Sequence, residues 1–266
     1  MPLSNTGPNL FPLFMLLAID IGNTTVSLAV MKGKRIVYAR SIENSALRST
    51  LKKELLSVKR RFLQLREAVL CSVVPDNLRT VEQAVWRHLK IKSLVIGRDI
   101  KVPIKNNYRN PRQVGQDRLV GAYAVKELYG YPAVIIDLGT AITFDVISSN
   151  GDYEGGMIVP GIRLSAEALF QKTALLPRIE TFKIPPAMIG KETKDSILSG
   201  IFYGYGAMCR GLIDELTGQL KGSPKVIVTG GHTRLMRRFI ARRITKVDEC
   251  LIFKGLQLLA APGRFA

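Results

Sequence analysis

The chain has 266 residues, 39 Lys and Arg against 21 Asp and Glu, a formal charge of +18 and 47% hydrophobic residues. That composition is too apolar for a disordered chain, and the length accommodates one large core or two smaller ones. The apolar runs fall well short of the roughly 18–20 residues that span a bilayer and are broken by Asp, Gly or Lys, so no membrane partner is expected.

Residues 1–14 carry internal prolines, no cationic start and no small-residue cleavage pattern, and read as an N-terminal extension rather than a signal peptide. The structured chain opens at Met15. Apolar stretches at 16–20 and 27–30 and an alternating one at 35–41, with the turn Lys32-Gly33-Lys34, predict three antiparallel strands. A helix over 49–66 follows, with Leu51, Leu55, Val58, Phe62 and Leu65 on one face and Lys52, Lys53, Lys59, Arg60 and Arg61 outside. Then come a buried strand at 68–74, a helix at 76–89, a short strand at 94–96 and an Asn- and Arg-rich loop bracketed by Pro103 and Pro111.

After a helix at 113–129 the pattern restarts, with strands at 133–137, 141–147 and 153–158, then a helix at 163–172. A long glycine-bearing helix at 195–219, a strand at 225–229 and a terminal helix near 254–261 complete it. The order βββαβαβ is expected twice, giving a duplicated α/β unit with mixed sheets, halves at 15–128 and 129–266, and a ligand cleft between them.

The positive charge concentrates at 34–66 and 225–246, both read as helical and solvated cationic faces. No nucleic-acid fingerprint accompanies it, so no specific nucleic acid is expected, and steering of anionic substrates is its simplest use. Cys71, Cys209 and Cys250 are odd in number, scattered and set in apolar runs, as buried reduced thiols in the cytosol would be. His88 and His232 lack metal-ligand spacing to any cysteine and read as satisfied or exposed histidines.

The chemistry lies in three turns. In the first, the strand Leu16-Leu17-Ala18-Ile19-Asp20-Ile21 runs into Gly22-Asn23-Thr24-Thr25. Gly22 admits close approach of a phosphate, Asn23 and Thr24 offer donors to its oxygens, and Asp20 would face the divalent ion accompanying a nucleotide. Alone this is an ordinary hairpin. Ile135-Ile136-Asp137-Leu138-Gly139-Thr140-Ala141 repeats it at the first turn of the second half, and Val226-Ile227-Val228-Thr229-Gly230-Gly231 is a buried strand ending in paired glycines, suited to the nucleoside end. Three such turns in this order read as a nucleotide site.

This constellation resembles the superfamily of acetate and sugar kinases, Hsp70 and actin. Further segments narrow the resemblance: Tyr108-Arg109-Asn110-Pro111 with Gly115-Gln116-Asp117-Arg118, Tyr153-Glu154-Gly155-Gly156 through Pro160-Gly161, Thr173 to Pro177, Ile189-Gly190-Lys191-Glu192-Thr193 and Ser199-Gly200. Together they are similar to the type III pantothenate kinase family, from about Met15 onward. The resemblance implies duplicated ribonuclease H-like (actin-like ATPase) domains with an interdomain cleft, in a cytoplasmic homodimer that phosphorylates pantothenate with ATP at the start of coenzyme A synthesis.

Residue by residue, it implies Asp117 as catalytic base. Asp20, Ile21, Gly22, Asn23, Thr24, Thr25, Val26, Ser27 and Thr140 fall on the ATP contacts, and Tyr108, Gly115, Gln116, Asp117, Arg118 and Thr193 on the pantothenate contacts. Asp137 falls on the position of a monovalent cation, K+ or NH4+, with Mg2+ arriving on the nucleotide. Arg118 has two readings, neutralising a substrate carboxylate or developing phosphoryl charge. Part of the dimer contact is expected near helix 195–219. Other kinases of the same fold, a chaperone or filament protein and a non-catalytic homologue are the alternatives. Clustered zinc cysteines of repressor-related sugar kinases are absent from the sequence, and the chain is short for a chaperone's extension.

Overall fold

The computed structural model describes residues 15–241 and 244–260; the expected extension at 1–14 lies outside them. The first copy runs β1 (Met15–Ile21), β2 (Thr25–Lys32), β3 (Arg35–Glu43), α1 (Leu47–Arg61), β4 (Leu65–Ser72), α2 (Pro75–Leu89) and β5 (Ser93–Val95). Its sheet has the order β3-β2-β1-β4-β5, the first three strands antiparallel and the last two parallel to β1. After α3 (Gln116–Leu128), the second copy runs β6 (Ala133–Leu138), β7 (Ala141–Ile147), β8 (Tyr153–Pro160), α4 (Ile162–Lys172), α5 (Thr193–Ser199), α6 (Tyr205–Gln219), β9 (Lys225–Thr229), α7 (Thr233–Ile240) and β10 (Lys246–Val247), followed by α8 (Leu251–Ala260). Its sheet order is β8-β7-β6-β9-β10, the same spatial plan with the same directions. This is the duplicated ribonuclease H-like α/β arrangement that the doubled βββαβαβ order implies.

Contacts divide the described residues into two compact units, one holding those up to Lys101 together with 256–260, the other those within 102–255. In the first, Leu17, Ile19 and Ile21 of β1 and Val26 and Leu28 of β2 pack on Leu51, Leu55 and Val58 of α1 and Val81 and Val85 of α2. In the second, the period-two alternation of β6 sorts its side chains onto two faces. Val134, Ile136 and Leu138, with Ile142 and Phe144 of β7, pack on Phe202, Cys209, Met236 and Ile240. Ala133 and Ile135, with Ile147 and Tyr153, pack on Leu119, Ala122 and Val125 of α3. The same alternation puts Asp137, Thr143 and Asp145 on the α3 side.

Three elements depart from the periodicity. α1 ends at Arg61, four residues before Leu65, so Phe62 and Leu65 leave its apolar face. Phe62 caps the helix and meets the Tyr38 ring at 6.0 Å, while Leu65 reaches the same core from β4. Three basic residues, Lys59, Arg60 and Arg61, close the last turn, where the helix dipole favours cations. The helix expected at 195–219 is α5 and α6 joined through a π-helical turn at Gly200–Gly204. The basic stretch at 225–246 is not one helical face: it holds β9, α7 and the start of β10, and α7 and β10 complete the second copy.

Candidate active site

In the first copy the strands leave a three-residue turn. Gly22 N–H donates to Thr25 O at 2.9 Å, and Asn44, just past β3, closes the turn from outside. Its side-chain Nδ2 donates to Gly22 O at 3.0 Å and Asn23 O at 2.8 Å, and its backbone N–H donates to Thr24 O at 2.9 Å. Asn23 and Thr24 are exposed, Asp20, Gly22, Thr25 and Ser27 are half-buried, and Ile21 and Val26 are core residues. Ile21 and Val26 therefore offer a ligand only their backbone. Ser27 Oγ lies 2.8 Å from Ser41 Oγ.

The second copy repeats the hairpin with one residue fewer. Asp20 and Asp137 stand at equivalent places, each next to last on its strand, paired with Ser27 and Cys71 in one copy and Thr143 and Thr229 in the other. The Gly139–Thr140 turn is held by Gly161 N–H donating to Thr140 O at 3.0 Å and by His232, whose Nδ1 lies 3.2 Å from Gly139 O. His232 is thus a satisfied histidine, and burial lowers its pKa. Gly230 has φ +97, and a Cβ there would fall 2.3 Å from Asp137 Oδ1. The close approach this glycine permits is to Asp137, whereas a Cβ on Gly231 would meet nothing within 4 Å.

Beside this turn lies a buried polar cluster built from β7, β8 and α3. Asp145, 3% exposed, accepts at Oδ1 from Arg118 Nε at 2.8 Å and from the Tyr153 hydroxyl at 2.7 Å, and at Oδ2 from Thr143 Oγ1 at 3.1 Å. Arg118 Nη2 lies 2.8 Å from the same Oδ1. Gly156, opposite Asp145 on β8, makes room for this: a Cβ there would stand 3.0 Å from Arg118 Nη2 and 1.7 Å from Phe144 O. Gly155, at φ +113, leaves space for the half-buried Tyr108 ring, which its Cβ would meet at 3.1 Å. The loop carrying Tyr108 is tied to β8 by Asn107 N–H to Tyr153 O and Tyr153 N–H to Lys105 O, at 2.9 and 2.8 Å.

Asp117, half-buried in the first turn of α3 after Gly115 and Gln116, accepts from the backbone N–H of Arg118 at 2.8 Å. Burial raises its pKa, opposed by that hydrogen bond and the Arg118 charge. Asp137 is pushed up to about 7, by burial first and then by the charges of Asp117 and Asp145. Burial also raises Asp145, against the pull of Arg118, Tyr153 and Thr143. Burial disfavours the Arg118 charge, but Asp145 outweighs it and the guanidinium stays protonated. Asp137 feels the charges of two other carboxylates, while the Arg118 cation is held by Asp145, so one acid near neutral pH is the physical result.

The structure thus brings Asp117, Arg118 and Asp137 together, with Tyr108, Gly115 and Gln116 on the adjoining loop and helix start. Thr140 is exposed on the second turn, and Thr193 is exposed at the start of α5, with no hydrogen bond or ion pair to the cluster among the described residues. Two residues of consequence went unnoticed in the sequence. Asp145 sits inside the apolar run Ile142-Thr143-Phe144-Asp145-Val146-Ile147, where a charge needs a buried partner. Asn44 follows an exposed edge strand and carries no local signal.

Duplicated sheets of this order, each opening on an Asp-x-Gly hairpin, place the protein among the actin-like ATPase-fold proteins. A Baf family transcriptional activator from Campylobacter jejuni superposes with a TM-score of 0.57 at 20% identity, over 91% of this chain and 96% of that one. The activator of 2-hydroxyisocaproyl-CoA dehydratase from Clostridium difficile, with bound ADPNP, does so at 0.54 and 15%, over 95% and 94%. The family model for type III pantothenate kinase matches residues 16–215. The type III pantothenate kinase of Halalkalibacterium halodurans is 38% identical over 252 residues, covering 92% of this chain and 98% of that protein. The chain belongs to the type III pantothenate kinase family.

Proposed function

We infer that this protein transfers the γ-phosphoryl group of ATP to the primary hydroxyl of pantothenate, giving 4′-phosphopantothenate and ADP at the entry to coenzyme A synthesis. The observation that carries the reading beyond family membership is the buried cluster at the start of α3, where Asp117 has a raised pKa and backbone partners while Arg118 is fixed by Asp145. Asp117 takes the hydroxyl proton as the oxygen bonds to the γ-phosphorus and the bond to the ADP oxygen breaks. A base held in place with an elevated pKa suits that transfer at neutral pH. Arg118, oriented by Asp145, supports the reading in which it stabilises negative charge from a fixed position rather than swinging onto a ligand.

The Gly22–Thr24 turn and Thr140 are the proposed ATP phosphate contacts, and Tyr108, Gly115 to Arg118 and Thr193 the proposed pantothenate contacts. Asp20, half-buried and next to last on β1 before the first turn, fits a role beside the Mg2+ that accompanies the nucleotide. Asp137 fits a monovalent cation, because burial and the charges of Asp117 and Asp145 disfavour its bare carboxylate, while the guanidinium of the cluster is engaged by Asp145. Such an ion would supply positive charge beside the phosphates.

A homodimer is the proposed assembly. Gly200, Gly204, Ala207 and Gly211 make an exposed small-residue face, and Leu175 and Ile189 are 92% and 80% exposed. Among the described residues no helix is long and apolar enough to cross a membrane, and we place the enzyme in the cytoplasm. The test of substrate is a coupled ADP assay with Mg2+ and K+, offering pantothenate, sugars, acetate or no acceptor. ADP formation that depends on pantothenate is expected; equal rates with a sugar or acetate would move the reading to another kinase of this fold.

A further inference from the structure

We propose that Asn44 is a positioning residue for ATP, holding the Gly22–Thr24 turn in its anion-binding form. The inference rests on the reading of that turn as a phosphate contact. Asn44 engages all three turn carbonyls: Nδ2 reaches Gly22 O and Asn23 O, and its backbone N–H reaches Thr24 O. A trans peptide points its N–H opposite to its C=O. Drawing the Gly22 and Asn23 carbonyls toward Asn44 therefore turns the N–H groups of Asn23 and Thr24 to the other side. Successive N–H groups presented in this way form a concavity suited to an anion.

The second-copy turn shows that another solution exists. There a glycine backbone and a histidine ring hold two carbonyls, and the turn is one residue shorter. The longer first turn has an additional peptide to orient, and Asn44 supplies both the side-chain and the backbone donors that do so. Asn44 also lines a cavity of about 320 Å³ with Arg48, Asp76, Asn77 and Thr80, which provides a control position, Asn77, that makes no hydrogen bond to the turn among the described residues.

The experiment measures KM for ATP, KM for pantothenate, kcat and Tm for Asn44→Ala, Asn44→Asp, Gly22→Ala and Asn77→Ala in the full chain. The two Asn44 variants are expected to raise KM for ATP about tenfold or more, the scale of two lost hydrogen bonds, with KM for pantothenate within twofold of the parent. Asn44→Asp keeps the size but replaces the donor with an acceptor facing two carbonyls, and is expected to be the worse of the pair. Asn77→Ala should leave KM for ATP unchanged. A Cβ at Gly22 would meet nothing nearer than Thr25 O at 3.4 Å, so harm from Gly22→Ala reports the approach of a ligand.

If Gly22→Ala raises KM for ATP while both Asn44 variants do not, the turn reading stands and the inference falls. If none of the three moves it, the turn reading itself fails. Asn44 variants that lose the fold, or lose affinity for both substrates alike, assign Asn44 to structure and overturn the inference. So does an Asn77→Ala effect equal to that of Asn44→Ala.

Discussion

The two copies of the sheet share strand order, direction and an Asp at the same register position, yet they carry different charge. Asp145 of β7 pairs with Ile135 of β6; the corresponding pair in the first copy is Ala29 with Ala18, both fully buried and apolar. Its β8 neighbour Gly156 corresponds to Ala39 opposite Ala29. The second copy therefore gives up apolar surface for Asp145, opens space with Gly156 and fills it with Arg118 from α3. The first copy keeps an apolar β2 interior and a longer turn tied by Asn44. Duplication supplies a scaffold, and the buried cluster proposed for the acid–base chemistry is built on one copy of it.

Breaking this asymmetry at the base should have the largest effect. Asp117→Asn preserves shape and removes the proposed proton acceptor, so kcat is expected to fall by about 10³, within the range for general-base loss, with little change in KM for ATP. Next is the buried pair. Asp145→Ala leaves the Arg118 guanidinium without its carboxylate, and a loss of about 3–5 kcal/mol in urea unfolding is expected, together with a steep fall in kcat. The converse change, Ala29→Asp, installs the acid in the first copy without an arginine and should cost a comparable amount.

A smaller effect concerns Asp137. Its carboxyl has a folded pKa of about 7 against the ordinary 3.8, so the native chain holds a proton that the unfolded chain releases. The contribution is full below about pH 4 and is lost as pH rises to about 7, which means stability falls across that window. Asp137→Asn should flatten this slope and, without K+ or NH4+, raise stability at pH 8 by about 2–4 kcal/mol in denaturant titrations. A variant no more stable than the parent at pH 8 would contradict the picture of a crowded acid.

What could be read from the sequence follows from how local each signal is. The paired Asp-x-Gly hairpins and the two sets of three strands were legible because strand alternation and turn residues lie within a few positions of one another. The role of Asp145 was not, because its partner Arg118 is 27 residues away and its own strand is otherwise apolar. Asn44 acts on a turn some 20 residues earlier, and no spacing rule connects them. Phe62 and Leu65 kept helical spacing by coincidence, since both belong to the core by way of a cap and a strand. The π-helical turn at Gly200–Gly204 interrupts a stretch whose apolar spacing is helical throughout, so the spacing did not mark it.

The most direct test of the central claim compares the wild-type chain with Asp117→Asn in pantothenate-dependent ADP formation, with ATP affinity measured by calorimetry on both. The variant is expected to bind ATP within twofold of the parent and to turn over about a thousand times more slowly. A variant that binds ATP normally and keeps its rate within tenfold of the parent would contradict Asp117 as the base, and with it the claim that the second copy carries the chemistry.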